Sequence, residues 1–536
     1  MKQATVIISI LLTLLLLLEQ QATGKQNDLL LQTNKVIYVS GELLELKCTP
    51  LKPELMNNEV LFIDVCGEGY TLEKSILSKN GASWKGKIML NDSIQSGIYL
   101  LRAYTGTSDG RLSITSLPLT VINRFGKQEV NRQRAQTGLP FNPFYTVSNQ
   151  GTALRLQAPA GKIPAGDTLS LTIKHSGEQL TSCLSLSVFK TDIEKAKNEN
   201  PPFVPNEFVP GKQRIYDRLY LAGNVRDSLK QALSGELLWL SFPDSIPDID
   251  YTYSDSSGYF RFDINHLTGA QTAIVQLADK TKKANITYED SHLPPPAKIP
   301  LYLSAETMKS ELIRLAPLRA QIHLTYRSQT TVNKQNNSDH ACLLPFYGRA
   351  QKNFDPSIYI QLDSFEEIAH ELLVNVRYKV RRQKTNIELW NPYQKKLFEN
   401  PMILVDGVPV EAGSINQLSS TSIGTIDLQP QDRSYGELHI NGLMAIHTRS
   451  GEFPLTMLPA NALNIDLQAY AIEQNATPDQ PFFSDVLFWE PTLKLHGEST
   501  IIEVVSSLET GCYQAIVQGI DNQGVLQRAT CFFNIE

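Results

Sequence analysis

Leu43-Leu44-Glu45-Leu46-Lys47-Cys48, Val60-Leu61-Phe62-Ile63-Asp64-Val65, Trp84-Lys85-Gly86-Lys87-Ile88-Met89 and Tyr99-Leu100-Leu101-Arg102-Ala103-Tyr104 are short apolar-rich runs separated by Gly, Asn, Asp and Ser clusters. Runs of this kind, recurring about every eight to twelve residues, predict antiparallel strands packed as β-sandwiches. The same rhythm continues downstream, and helical periodicity is scarce. The expected fold class is therefore mainly β, a tandem series of sandwiches.

At 536 residues the chain is long enough for roughly three to five domains. Its net charge of −6 has the wrong sign for a polyphosphate-binding surface, so no nucleic-acid partner is expected. A composition of 42% hydrophobic and 19% charged residues excludes a disordered chain and a polytopic helical membrane protein. Lys2, an apolar run over 6–18 and Ala22-Thr23-Gly24 read as a secretory signal peptide, with the mature chain starting near Lys25. A retained anchor is the alternative, although the run falls short of the ~20 residues a bilayer core requires. The expected location is extracytoplasmic, periplasmic or associated with the outer membrane, with membrane association at most peripheral.

Polar and Pro-rich stretches divide the chain. The reading is a signal peptide (1–24), a sandwich (25–125), a linker (126–149), a β segment (150–197) and a Pro-rich linker (198–215). There follow a sandwich (216–305) with Leu293-Pro294-Pro295-Pro296 as a further break, a connecting β segment (306–350), an α+β domain (351–455) and a C-terminal sandwich (456–536). A weak echo links the modules: Ser96-Gly97-Ile98-Tyr99, Thr268-Gly269-Ala270 and Thr510-Gly511-Cys512-Tyr513 each begin a late strand.

Thr33-Asn34-Lys35-Val36-Ile37-Tyr38-Val39-Ser40-Gly41-Glu42, with Ser96-Gly97-Ile98-Tyr99-Leu100-Leu101-Arg102-Ala103-Tyr104-Thr105, resembles the MG2 domain of the alpha-2-macroglobulin superfamily. Tyr253-Ser254-Asp255-Ser256-Ser257-Gly258-Tyr259-Phe260-Arg261-Phe262 is similar to carboxypeptidase-regulatory-like or macroglobulin-type sandwiches, an Asp-Ser-Ser-Gly turn leading into an alternating strand. Asn400-Pro401-Met402-Ile403-Leu404-Val405-Asp406-Gly407-Val408-Pro409-Val410, then Ile423-Gly424-Thr425-Ile426-Asp427-Leu428, Tyr435-Gly436 and the Gly442 to Gly451 stretch, resembles the plug domain of TonB-dependent receptors. The 85 residues after Gly451 are too few for the receptor barrel. Phe483-Ser484-Asp485-Val486-Leu487-Phe488-Trp489-Glu490-Pro491 resembles the last sandwich of barrel-less envelope proteins of the Bacteroidota type. These resemblances imply macroglobulin/Ig-like sandwiches plus a small plug-like α+β domain, in which Asp406-Gly407 turns after a buried strand and Gly442 opens its neighbour.

Candidate chemistry is thin. Cys66-Gly67-Glu68-Gly69 lacks the Gln whose acyl carbon a macroglobulin thioester uses, and reads as a turn. Glu366-Glu367-Ile368-Ala369-His370-Glu371 lacks a second His, because position 374 is Val; its apolar stripe reads instead as a helix face, Phe365, Ile368, Ala369, Leu372 and Leu373. His439 and His447 have no acidic partner close in sequence. No metal, cofactor or catalytic residue is expected. Cys512 and Cys531 oppose each other if a tight turn sits at Asp521-Asn522, and are separated if the loop is wider; Cys48 and Cys66 are a second candidate disulfide. Cys183 and Cys342 have no evident mate.

Arg377, Lys379 and Arg381 alternate with Val376, Tyr378 and Val380, giving a strand with one basic face suited to an acidic partner or a lipid headgroup. Arg433 and Glu437 are the other candidate docking residues, on the surface of the plug-like domain. The expected function is a non-enzymatic envelope scaffold or binding protein acting through protein contacts. The alternatives are an accessory module of a TonB-dependent transport system, with that transporter or its machinery as partner, and a hydrolase with dispersed active-site residues.

Overall fold

The structure is a computed structural model that describes residues 28–107, 111–126, 139–143, 154–175, 184–192, 215–243, 248–265, 270–326, 344–359, 362–382, 384–468, 484–521 and 525–536. The expected signal segment, most of both expected linkers, Cys183 and Cys342 lie outside them. The chain is mainly β, and falls into two compact units, 1–218 with 291–330 and 470–536, and 219–290 with 331–469.

In the first unit, one eight-stranded ribbon folds over itself. Its order is Leu29–Thr33, Leu43–Pro50, Ser83–Met89, Tyr70–Asn80, Val60–Gly67, Gly97–Gly106, Leu112–Ile122 and Ile37–Val39. Tyr70–Asn80 serves both layers, pairing with Val60–Gly67 along most of its length and with Trp84 and Ser83 at its end. Alternate residues of both layers, among them Leu44, Leu46, Ile63, Val65, Trp84 and Leu101, fill the core between them. The strands between Leu29 and Ile122 thus form a sandwich.

The second sandwich is assembled from two distant stretches. Leu154–Gln157, Thr168–His175 and Ser499–Val505 form one layer, and Val486–Leu493, Leu184–Lys190, Gly511–Ile520 and Leu526–Ile535 the other. Of the segments expected as separate modules, 150–197 and 456–536, the described strands of the first and those from Val486 onward in the second therefore share one core that joins Leu171, Ile173 and Val188 to Val504, Tyr513 and Val517. The physical reason is coverage: the described strands of the first stretch are too few to bury both of their faces.

The Leu293-Pro294-Pro295-Pro296 break is a strap rather than a free joint. Arg102 Nη1 donates to the Pro294 carbonyl at 2.8 Å, Leu293 N–H donates to Tyr104 Oη at 2.9 Å, and Gly69 N–H donates to the Pro296 carbonyl at 2.8 Å. Ile299 and Leu301 then pack on Ile98, Leu100 and Phe141, and Leu301–Leu303 pairs in parallel with Leu139–Phe141. The helix Glu311–Tyr326 follows, seating Leu312 and Ile313 on Ile37 and Ile122, and Ala316 and Ala320 on Val39.

In the second unit, Tyr259–Asp263, Tyr220–Asp227 and Ala284–Tyr288 face a layer of Asp248–Tyr253, Leu237–Phe242, Ala270–Leu277 and Leu463–Gln468. The last strand again comes from far along the chain, pairing Ala270 with Gln468 and Val275 with Leu463. As read from sequence, Asp255 Oδ1 accepts hydrogen bonds from Ser257 and Tyr259 N–H, and Phe260 and Phe262 alternate into the core. Between the returning strands lies the α+β part. It has a five-stranded sheet ordered Lys352–Phe354, Ile423–Tyr435, Leu438–Thr448, Met402–Val405, Val408–Pro409, a three-stranded sheet Val376–Arg381, Lys384–Asn391, Lys396–Glu399, and the helix Phe365–Glu371.

Asp406 and Gly407 both have positive φ, 44° and 82°, and make the expected turn after the buried strand. The Asp406 carboxylate locks it by accepting Thr448 N–H at 2.8 Å and Thr448 Oγ1 at 2.7 Å. Gly442 does not open its strand, which starts at Leu438. It sits inside, opposite a bulge at Pro430-Gln431, with φ +76°, a conformation that strains any other residue, and an added Cβ would press on Leu389 Cδ1 at 3.1 Å.

Candidate partner-docking site

The site begins with a helix that has one apolar face. Ser364 Oγ accepts the Glu367 N–H, and Phe365, Ile368 and Ala369 are buried as the stripe predicts; the helix ends at Glu371, so Leu372, partly buried, and Leu373, buried, belong to the turn that follows. His370, half exposed, lies 4.0 Å from Glu366 and meets the Tyr378 ring edge-on at 6.2 Å, and Val374 is 83% exposed. Chain and helix together present the next strand: Tyr378 is buried edge-on against Phe365 at 6.0 Å, and its hydroxyl donates to Asn416 Oδ1 at 2.7 Å. With Tyr378 fixed inward, the pleat turns Arg377, Lys379 and Arg381 outward. Val380, expected on the inner face, is 50% exposed because the sheet outruns its core at this end.

The neighbouring strand extends the basic face. Arg377 stands opposite Glu388, Lys379 opposite Asn386 and Arg381 opposite Lys384. Glu388 lies 3.0 Å from Lys379 Nζ and 3.8 Å from Arg377 Nη1, so part of the stripe is neutralised internally. Even so, 376–399 holds Arg377, Lys379, Arg381, Arg382, Lys384, Lys395 and Lys396 against Glu388 and Glu399, in a chain whose net charge is −6. Trp390 is 42% exposed on the same strand.

Arg433 and Glu437 lie on the long hairpin beside this sheet. Gln394 Nε2 from the basic sheet's loop donates to Asp432 Oδ1 at 2.8 Å, linking the two regions. Arg433 Nη1 donates to the Tyr347 carbonyl at 2.7 Å, and Glu437 N–H donates to Tyr251 Oη at 2.8 Å. Arg433, Phe346, Tyr347, Gln429 and Tyr435 surround a recess of about 100 Å³. Ligand pockets for small molecules run to roughly 300–1,000 Å³, so this one holds at most a side chain.

Sequence reading missed a buried cluster behind that recess. Tyr347 Oη donates to Asp427 Oδ2 at 2.9 Å and lies 3.1 Å from His447 Nε2, while Asn353 Nδ2 donates to Asp427 Oδ1 at 2.6 Å. Burial pushes the Asp427 carboxyl up, but hydrogen bonds from His447, Asn353 and Tyr347 outweigh it and hold the group below its ordinary value. Burial and the Asp427 charge push the Tyr347 hydroxyl up, so it remains a donor. The two histidines singled out by spacing do not meet: His439 lies 3.6 Å from Asp432 and His447 3.5 Å from Asp427. Both acids come from the opposite strand, a cross-strand relation that no local spacing encodes.

Lys280 is a second perturbed group in this unit. Its Nζ donates to the Pro409 carbonyl at 2.8 Å, and burial, only partly offset by Glu411, brings its pKa down to about 8. The unfolded chain then binds the extra proton between about 8 and 10.5, so stability is expected to rise with pH across that window. Lys280→Met should flatten the rise in thermal unfolding scans; an unchanged pH profile would contradict the assignment.

The remaining candidates resolve as structure. Gly69 has φ +75°, and Glu68 Oε1 accepts the Ile299 N–H at 3.1 Å, so Cys66-Gly67-Glu68-Gly69 is a turn holding the strap. Cys48, Cys66, Cys512 and Cys531 are all free. The wider loop prevails at the last hairpin, where Cys531 stands opposite Ala515 and Cys512 opposite Asn534. Cys48 and Cys66 lie on strands with two others between them. Burial, then the Asp64 charge, pushes the Cys66 thiol up to about 12, and burial takes Cys531 to about 11. Among the described residues, no helix is long and apolar enough to cross a membrane.

No protein-family description matches the sequence, and no curated protein does. Among solved structures, a mutant of Salmonella alpha-2-macroglobulin aligns over 95% of this chain and 39% of its own length, at 8% identity and a TM-score of 0.24. Trypsin-activated alpha-2-macroglobulin from Escherichia coli aligns over 96% and 24%, at 10% identity and 0.16. A tetra-tandem repeat from the extending region of a large adhesion protein aligns over 95% and 99%, at 9% identity and 0.15. The chain thus spans well under half of either macroglobulin. Superpositions this loose carry no function across, and the sandwiches rest on the strand pairings above.

Proposed function

We propose that the protein is a non-enzymatic, exported envelope scaffold that binds another protein through the basic three-stranded sheet. On this reading the first sandwich is MG2-like, the α+β part is plug-like, and the partner is an acidic envelope protein. The observation that carries it is charge segregation. Of the seven cations in 376–399, Arg377, Lys379, Arg381 and Lys384 stand on the solvated outer face of the sheet, where Glu388 and Glu399 are the acids, while Arg382 and Lys395 lie in turns and Lys396 shares the register face of buried Phe398. Electrostatic complementarity of this sort steers encounter and selects partners.

Arg377→Glu with Arg381→Glu should reduce capture of a partner from envelope extracts at least tenfold without lowering the melting temperature, because both side chains are exposed. Arg433→Glu, at a side chain tied to Tyr347, should act more weakly. Capture that survives the double reversal would remove the basic sheet from the account.

A further inference from the structure

The hairpin Val376–Arg381 to Lys384–Asn391 turns in two residues, with Arg382 at φ +48°. In such a hairpin the closing pair, Arg381 and Lys384, is hydrogen-bonded across the turn, and pairs then alternate. Lys379 and Arg377 therefore bond inward to the partner strand, and the backbone groups of Tyr378 and Val380 point to the opposite edge. Val376 confirms the phase, since its N–H bonds away from the hairpin to the Leu373 carbonyl at 3.0 Å. Among the described residues, no strand occupies this edge.

The outer side chains carry a second mark. Arg381 and Lys384 stand directly opposite each other with Arg382 beside them, and like charges so placed destabilise a strand pair. Glu388 shows how an acid fits this face, reaching Lys379 and Arg377 from the adjacent strand, but no described acid pairs with Arg381, Arg382 or Lys384.

We infer that the free edge of Val376–Arg381 takes up, as an added strand, an extended segment of the partner protein that carries Asp or Glu at alternate positions. This rests on the docking reading above. An added strand would satisfy the outward backbone groups of Tyr378 and Val380 and project every second side chain onto the basic face. The cations recur every second residue, about 6.6 Å apart, which is the period of a facing strand. A lipid headgroup layer would match the charge but would leave those backbone groups without ladder partners.

The probe is a synthetic eight-residue peptide alternating Glu and Val, blocked at both ends and read by fluorescence anisotropy with the full chain. It should bind, weaken as salt rises, and lose at least tenfold in affinity with Arg377→Glu/Arg381→Glu. Val380→Pro, which deletes one outward N–H and leaves every charge, should cost a similar factor. Should that variant fold poorly, the same peptide N-methylated at alternate residues tests the ladder against the unaltered protein and should also bind at least tenfold more weakly. Equal binding of the methylated and plain peptides would overturn strand addition, as would binding to phosphatidylglycerol vesicles with no peptide binding. Extract capture that depends on Arg377 and Arg381 without any peptide binding would overturn the added strand while leaving the docking face in place.

Discussion

Arg102→Met should destabilise the first sandwich by about 3–5 kcal/mol, the usual cost of leaving a buried charge without its partner. Arg102 Nε and Nη2 donate to the two oxygens of Asp64 at 2.7 and 2.6 Å, with the side chains 6% and 0% exposed. Asp64 also accepts the Tyr104 hydroxyl at 3.1 Å, too weak a donor to replace a guanidinium. The same guanidinium holds the carbonyls of Pro294 and Leu293, so its loss should raise amide exchange across the strap at 291–303 as well as in the sheet. Arg102→Met with Asp64→Leu should recover part of the stability, because an apolar pair carries no unpaired charge. An Arg102→Met protein with unchanged unfolding and exchange would contradict this role.

Lys35→Met is the second large effect expected, again about 3–5 kcal/mol. Lys35 Nζ lies 2.7 Å from Glu42 and 2.9 Å from Asp485, almost fully buried, and joins residues 450 positions apart. Burial alone lowers its pKa, but Asp485 and Glu42 outweigh that and raise it above 10.5. Its contribution is therefore complete below pH 10.5 and fades only as pH climbs through the raised value. The signature is paired: exchange should rise both in the first sandwich near Glu42 and in the strand Val486–Leu493, although only the former neighbours the mutation in sequence. A rise confined to one of them would show that the ion pair does not tie these segments.

The second tie explains why this unit divides differently from the sequence reading. Glu509 receives Lys190 at 2.6 Å and Arg319 at 3.1 Å, fastening the second sandwich to the helix Glu311–Tyr326. Local alternation is present in the strands of both stretches. Thr168–His175 alternates buried and exposed as a half-buried strand must, and so does Ser499–Val505. Alternation states which face is inward and nothing about which strand lies alongside, so the pairing of Thr172 with Ile501 left no trace in either stretch. Each stretch read alone looked like the beginning of a module of its own.

Turns and the apolar helix face were legible for the opposite reason, because their determinants are local. Asp406-Gly407 needs two residues that tolerate positive φ, and Phe365, Ile368 and Ala369 need only helical spacing. At the docking site, the alternation of Arg377, Lys379 and Arg381 was readable on the same grounds. Their cross-strand company was not. Glu388 partly neutralises the stripe, whereas Lys384 adds to it, and only the register separates these outcomes. The Tyr347–Asp427–His447 cluster was hidden likewise, its three members coming from a turn and two paired strands.

The most direct test places a photo-crosslinking residue at Asn386, exposed on the outer face of the basic sheet, and activates it in intact cells. A control position is Ser170, exposed on the second sandwich. A discrete adduct with one acidic envelope protein is expected from position 386, suppressed by Arg377→Glu with Arg381→Glu and absent from position 170. No adduct at 386, or the same adducts from both positions, would contradict docking through the basic sheet.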